Sequence, residues 1–284
     1  MNEKMPATKS RILVIGCASS DLVHLEQKSI SIQSNGGAGL YTALAVIAAG
    51  ADCSLLGPKP EDISALGLKC LKQLHWLGPT AREGEYPYLE IVHHGDDRAT
   101  LCKASWGIEP ELTPAFLPSN LSDYRIVHIA ALSSAERQLD FLKATKEKST
   151  CKISVGTYAR IARNETAIVR QLYELCDYMF MNENEAGMIF DDASFPMKPR
   201  KDQIICITRG RRGALILAGT QEIELAGKDI IEYDPTGAGD TFAGTMLATL
   251  SQGQPLQEAA GLAIERSALV ITEAGPLAIS ALIC

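Results

Sequence analysis

From Arg125 onward the sequence repeats one rhythm, a short continuous apolar run followed by a segment of helical period. The runs are Ile126 to Ala130, Ile153 to Val155, Tyr178 to Met181 and Ile204 to Thr208. A strand that is apolar at consecutive positions has both faces buried, and such strands alternating with helices make a parallel sheet covered on both sides. One intervening segment shows the period directly, with Ile168, Leu172 and Leu175 at helical spacing and Cys176 alongside. Arg11 to Gly16 and Cys53 to Leu56 read as further buried strands. Ala38 to Ala49 is helix-compatible, with Gly50 as its C-terminal stop, and Glu61 to Leu74 reads as a second helix. The last third adds a hairpin near Gly213 to Leu225 and two helices, Gly239 to Leu250 and Leu256 to Thr272. The fold class is α/β: a three-layer α/β/α sandwich on a mostly parallel central sheet.

Two stretches break the rhythm. Ile30 and Ile32 alternate with Ser29, Ser31 and Gln33, which predicts a two-faced hairpin turning at Glu26 to Lys28. A second hairpin is expected at Tyr88 to His93 and Arg98 to Lys103, joined by His94-Gly95-Asp96-Asp97. Together they would form a small sheet beside the core, from segments at about 22–34 and 86–104 of a single domain spanning 1–284. A small two-faced sheet leaves one face to cover, and a homodimer formed through it is one way to do so.

Composition removes several function classes. A net charge of −7 and no basic stripe argue against a nucleic-acid surface. No stretch has the uninterrupted apolar length of a membrane span. The start from Met1 to Arg11 is polar and the first apolar run, Ile12 to Ile15, is strand-sized, so the reading is a cytoplasmic protein without a secretory leader. Eight widely spaced cysteines without a CxxC pair read as reduced thiols, and five histidines without ligand spacing give no structural zinc.

The run that carries chemistry is Asp234-Pro235-Thr236-Gly237-Ala238-Gly239-Asp240, placed directly before a helical stretch. Glycines let a backbone approach an oxyanion closely, and the first turn of a helix offers unpaired N–H groups and a positive dipole end. Asp240 stands where a carboxylate can meet both a transferring phosphoryl group and an attacking hydroxyl, which makes it the candidate base. On local grounds alone the run is also compatible with a plain cap, Thr236 or Asp234 closing a helix whose entry needs glycine. Other nucleotide motifs fail: Gly227-Lys228 is followed by Asp229, which breaks a P-loop, and Phe242 stands where a dinucleotide site needs a third glycine.

Three further places invite two readings each. Asn182 and Glu185 form a capping box at a helix start, Thr208-Arg209-Gly210-Arg211-Arg212-Gly213 a basic turn, and Asp21, five residues after Gly16, an ordinary turn residue.

With these residues in place the chain resembles the ribokinase-like (PfkB) carbohydrate and nucleoside kinases. Asp234 to Asp240 is similar to that family's C-terminal signature, and Gly36-Gly37 before an alanine-rich helix is similar to its N-terminal one. Asn182 with Glu185, and Thr208 with Gly210 and Gly213, match two intermediate motifs in the right order. The resemblance covers nearly the whole chain. It implies that the small sheet is a lid and that the ATP γ-phosphate moves to a hydroxyl of a small, sugar-like molecule. ATP and Mg2+ are the implied cofactors, with a monovalent cation as an open addition.

Residue by residue, the resemblance makes Asp240 the base and Gly237, Ala238 and Gly239 an anion hole. Thr208 and Gly210 would border the nucleotide phosphates. Asn182 and Glu185 would organise magnesium-bound water, so their part in holding metal is indirect. Asp21, Gly36 and Gly37 would contact the substrate, and Arg98 is either a lid contact or a surface charge.

Two departures fall on the substrate side: Tyr41, where many members have Asn, and Gly156, where an Asp is frequent. Tyr41 could stack on a ring or belong to the core. Sugar, nucleoside and polyol acceptors therefore stay open. So does a catalytically idle binding or regulatory protein on the same fold, since a fold alone does not prove activity.

Overall fold

The computed structural model describes residues 10–95, 98–191 and 197–284. The segment before Ser10, the turn residues Asp96 and Asp97, and the side chain of Arg98 lie outside the described residues.

Strand β1 (Arg11–Ile15) leads into the antiparallel pair β2 (Ser19–Leu25) and β3 (Ile30–Gly36), turning at Glu26–Lys28. Helix α1 (Ala38–Ala48) and β4 (Asp52–Leu56) follow. Three short strands come next, β5 (Lys59–Pro60), β6 (His75–Leu77) and β7 (Thr80–Ala81), before the hairpin of β8 (Tyr88–Gly95) and β9 (Arg98–Ser105). The alternating part runs β10 (Ile126–Ile129), α2 (Ala135–Lys148), β11 (Lys152–Gly156), α3 (Ala159–Asn164), α4 (Thr166–Leu175), β12 (Tyr178–Asn182) and α5 (Glu183–Phe190). It continues with β13 (Ile204–Thr208) and the hairpin of β14 (Ala214–Ala218) and β15 (Gln221–Leu225). Helices α6 (Ala238–Ser251), α7 (Leu256–Val270) and α8 (Leu277–Ser280) close the chain.

The main sheet has nine strands in the order β15, β14, β13, β12, β11, β10, β1, β4, β6. Neighbours from β13 to β6 pair in parallel, and β14 and β15 add an antiparallel edge. Strand β1 shows why both faces are covered. Ile12 and Val14 point into a core shared with α1, α6 and α7, while Leu13 and Ile15 point into a second core shared with α2 and α4. Between α1 and α6 the approach is close enough that a Cβ on Gly244 would overlap the Thr42 carbonyl oxygen. A separate four-stranded sheet, in the order β3, β2, β8, β9, forms the lid. Among the described residues no helix is long and apolar enough to cross a membrane.

The helix expected over Glu61 to Leu74 is corrected. The structure has two 3₁₀ turns instead, Ile63–Leu66 and Lys69–Gln73. Gly67 ends the first in the left-handed region (φ 69°) and Leu68 continues extended. That break lets Cys70 and Leu71 enter the core, where tertiary burial outweighs the helical period.

Candidate active site

In a parallel sheet, ligands collect at the carboxyl ends of the strands. Here β11, β12 and β13 end at Gly156, Asn182 and Thr208, and all three residues line one cavity of about 450 Å³. The lid contributes Ile91, His93 and Ala99 to its wall, and Ile264, Ala268 and Ile271 make an apolar stretch elsewhere along it.

The start of α6 forms the floor. Gly237 sits in the left-handed region (φ 79°), which favours glycine, and its bare α-carbon packs on the ring of Tyr41. The Thr241 N–H donates to the Gly237 carbonyl at 2.8 Å. The N–H groups of Gly239 and Asp240 have no acceptor among the described residues, so the positive end of α6 carries uncommitted donors. Asp240 lines the cavity beside them. Enclosure pushes its carboxyl up to about 7, and the charge of Asp21 adds to the rise.

Asn182 and Glu185 close a capping box at the start of α5. The Glu185 N–H donates to Asn182 Oδ1 at 2.9 Å, and the Asn182 N–H donates to Glu185 Oε2 at 3.0 Å. Asn182 Nδ2 donates to Glu185 Oε1 at 2.6 Å. Burial pushes Glu185 up to about 8 against the lowering hydrogen bonds from Asn182, and the charge of Asp240 raises it further. Cap and site therefore share the same two residues. Thr208 and Gly210 line the cavity at the end of β13, Gly210 with φ 52°.

Asp21, Gly36 and Gly37 are not among the residues that line the cavity. Asp21 is 1% exposed and accepts the Ser19 hydroxyl at 2.6 Å, and a Cβ on Gly36 would overlap its carboxylate. Burial lifts Asp21 to about 6, partly opposed by hydrogen bonds from Ser19 and the Gly37 backbone. Its effect on Asp240 places it in the same electrostatic neighbourhood.

Tyr41, open at the sequence level, is core: 1% exposed, its ring under Gly237, its hydroxyl without a partner among the described residues. Burial and the charges of Asp234, Asp21 and Asp240 hold its proton on.

Three groups went unmarked in the sequence. Lid residue His93 meets Thr236 Oγ1 through Nε2 at 3.0 Å. Lys28 donates to the carbonyls of Glu232 and Tyr233, each at 2.8 Å. His128 lines the cavity and meets Ser154 Oγ at 2.8 Å, with burial pushing it down to about 3, so it is neutral. No local pattern announces such pairs; His93 and Thr236 lie 143 positions apart.

Residues 91–281 match the model of a family described as pfkB family carbohydrate kinase. Among curated proteins, a cytidine kinase of Thermococcus kodakarensis is 27% identical over 95% of this chain and 99% of its own length. A ribokinase of Bacillus subtilis is 25% identical over 93% of this chain and 94% of its own. Among solved structures, a probable sugar kinase from Rhizobium etli superposes with a TM-score of 0.78 at 18% identity, covering 96% of this chain and 97% of that one. The structural likeness carries the fold and the family model carries the membership. The chain belongs to the pfkB family of carbohydrate kinases and is accordingly an ATP-binding phosphotransferase.

Proposed function

We propose that the chain transfers the γ-phosphate of ATP to a hydroxyl of a small sugar or ribosyl compound, with Asp240 as base. The observation that carries this reading is the placement of Asp240: in the first turn of α6, on the cavity wall, beside uncommitted backbone donors and within electrostatic reach of Glu185. The acceptor oxygen bonds to the γ-phosphorus as the bond to the bridging β,γ-oxygen breaks, and the acceptor proton passes to Asp240. Positioning and charge stabilisation do most of the work in such transfers. The N–H groups of the Gly237 to Gly239 turn and Asp240 would meet the charge on the transferring group, and losing one donor of this kind typically costs about 10²–10³ in rate.

Thr208 and Gly210 would border the nucleotide phosphates, and the apolar stretch Ile264, Ala268 and Ile271 suits a flat base. The donor set fits a magnesium nucleotide. Burial raises both Glu185 and Asp240, and the Asp240 charge raises Glu185 further, so a nearby cation would relieve both; no group of three or more ligating side chains stands ready among the described residues to bind a metal alone. Glu185 and Asn182 would thus act through bound water, and when bound Mg2+ would neutralise phosphate charge. Gly36 leaves room for the Asp21 carboxylate and the Gly37 N–H donates to it, and Asp21 would orient the acceptor.

For the acceptor, the cytidine kinase relative and the apolar lid residues Ile91 and Ala99 favour a nucleoside, while the ribokinase relative favours a free sugar. The test is ADP release by the purified protein with Mg-ATP across sugars, nucleosides and polyols, with Asp240→Asn in parallel. Turnover on one compound, lost in the variant, supports the reading. Wild-type rates in the variant would sink Asp240 as base.

A further inference from the structure

We propose that His93 is a positioning residue, which places the anion-binding turn through the hydroxyl of Thr236 and so makes lid closure and assembly of the site a single event. The proposal rests on the kinase reading given above and adds to it a specific route of control.

The turn is gripped from the body of the protein at two points. Asp234, 1% exposed, accepts the Thr236 N–H at 3.0 Å and the Gly275 N–H at 2.9 Å. Below, the ring of Tyr41 fills the space against Gly237. These contacts fix the backbone on either side of Thr236 but leave its hydroxyl uncommitted. That hydroxyl is taken by His93 Nε2 at 3.0 Å, from strand β8 of the lid.

A second lid segment reaches the same stretch of chain. Lys28, in the turn between β2 and β3, donates to the carbonyls of Glu232 and Tyr233, and its ammonium lies 5.0 Å from the centre of the Tyr233 ring. Because β2 pairs with β8, Lys28 and His93 belong to one sheet and must move together. Lys28 is exposed, so its contacts are the weaker. His93 is partly buried, and a desolvated hydrogen bond left unmade is costly.

The geometry explains why the handle matters. Thr236 directly precedes Gly237, and the uncommitted donors of Gly239 and Asp240 follow within one turn. With the lid raised, His93 leaves Thr236, and the turn loses the grip that His93 has on its hydroxyl. A displacement of about 1 Å at a reacting centre can cost about 10² in rate. The nucleotide loops around Thr208 and Gly210 belong to the body and do not share this dependence.

The experiment compares His93→Leu, Thr236→Val, the double variant and His93→Gln, whose amide nitrogen can take the place of Nε2. Each single variant should lower kcat by about 10- to 100-fold with the KM for ATP within about threefold of wild type. The double variant should be no slower than the worse single one, because both remove the same contact. His93→Gln should return kcat to within about threefold of wild type.

Amide hydrogen exchange gives a readout free of turnover: residues 234–240 should exchange faster in both single variants while α2 stays unchanged. His93→Leu within about twofold of wild type in kcat with unchanged exchange, or additive losses in the double variant, would overturn the proposal. An absence of acceptor-dependent ADP release in the wild type would count against the kinase reading instead. The exchange measurement would still decide whether His93 holds the turn.

Discussion

The ring of Tyr41 lies directly against the α-carbon of Gly237, so the first residue of the proposed anion-binding turn rests on a buried aromatic floor. Gly237 is thereby constrained twice, by its positive φ of 79° and by the ring beneath it. Gly237→Ala adds a methyl group that overlaps that ring and a left-handed conformation that alanine disfavours. We expect turnover to fall by about 100-fold or more and stability by about 1–3 kcal/mol. Steady-state kinetics and thermal unfolding check the two parts separately.

The raised carboxyls make stability fall with rising pH. Asp21, Asp240 and Glu185 titrate at about 6, 7 and 8 in the folded chain, above their ordinary values. Between about pH 4 and 8 the native state therefore holds more protons than the unfolded one, and their contribution, full below the unfolded pKa values, is lost as pH rises through the folded ones. His128, held neutral with a folded value of about 3, works the other way, but only below its unfolded pKa of about 6.5. From about pH 7 to 7.8, above the histidine range and below the region near 8.5 where thiols of the unfolded chain ionise while buried Cys17, Cys53, Cys176 and Cys206 do not, the carboxyls supply most of the slope. Without nucleotide, Tm should drop across that range, and Glu185→Gln, which keeps a residue able to close the capping box, should flatten the slope.

Activity has the opposite sign. Asp240 accepts a proton only when ionised, so kcat/KM for the acceptor should decline as pH falls below about 7. A profile flat from pH 5 to 8 would contradict the assignment of the base.

Asp234→Ala removes a buried carboxylate that accepts two backbone N–H groups, from Thr236 and Gly275. Charge-assisted bonds of this kind contribute about 1.5–3 kcal/mol each, so a loss of about 3–6 kcal/mol is expected by denaturant titration. The turn would shift with it, and turnover should fall together with stability.

Gly36→Ala addresses the acceptor side. A Cβ there overlaps the Asp21 carboxylate, which is backed by the Ser19 hydroxyl. If Asp21 orients the acceptor, the variant should raise the acceptor KM by about tenfold or more and leave the KM for ATP unchanged. Equal changes in both would show that the damage is general.

What could be read from the sequence were the features with local causes. Ile126 to Ala130 and its counterparts announced a parallel sheet because consecutive apolar residues have few other uses. The turn at Gly237 and the capping box at Asn182 were legible because their chemistry lies within a few residues. The stretch from Glu61 to Leu74 misled because its apolar spacing is helical, while the left-handed Gly67 and the burial of Cys70 and Leu71 are settled by contacts elsewhere in the fold. The contact of His93 with Thr236, and the burial of Asp21, depend on which distant elements come together, and no local spacing records that.

The close packing of α6 on α1 has a consequence for biosynthesis. Helix α1 ends at Ala48 and the helix that covers it starts at Ala238, nearly two hundred residues later. At about 5–20 residues per second, a ribosome takes roughly ten to forty seconds to make that stretch. For that interval Leu40, Leu44 and the rest of the first-made apolar face have no partner from α6, and Gly244 has not yet met Thr42. Until its last third emerges the nascent chain exposes apolar surface prone to aggregation, and the segment that finally shields it is the one that delivers Asp240.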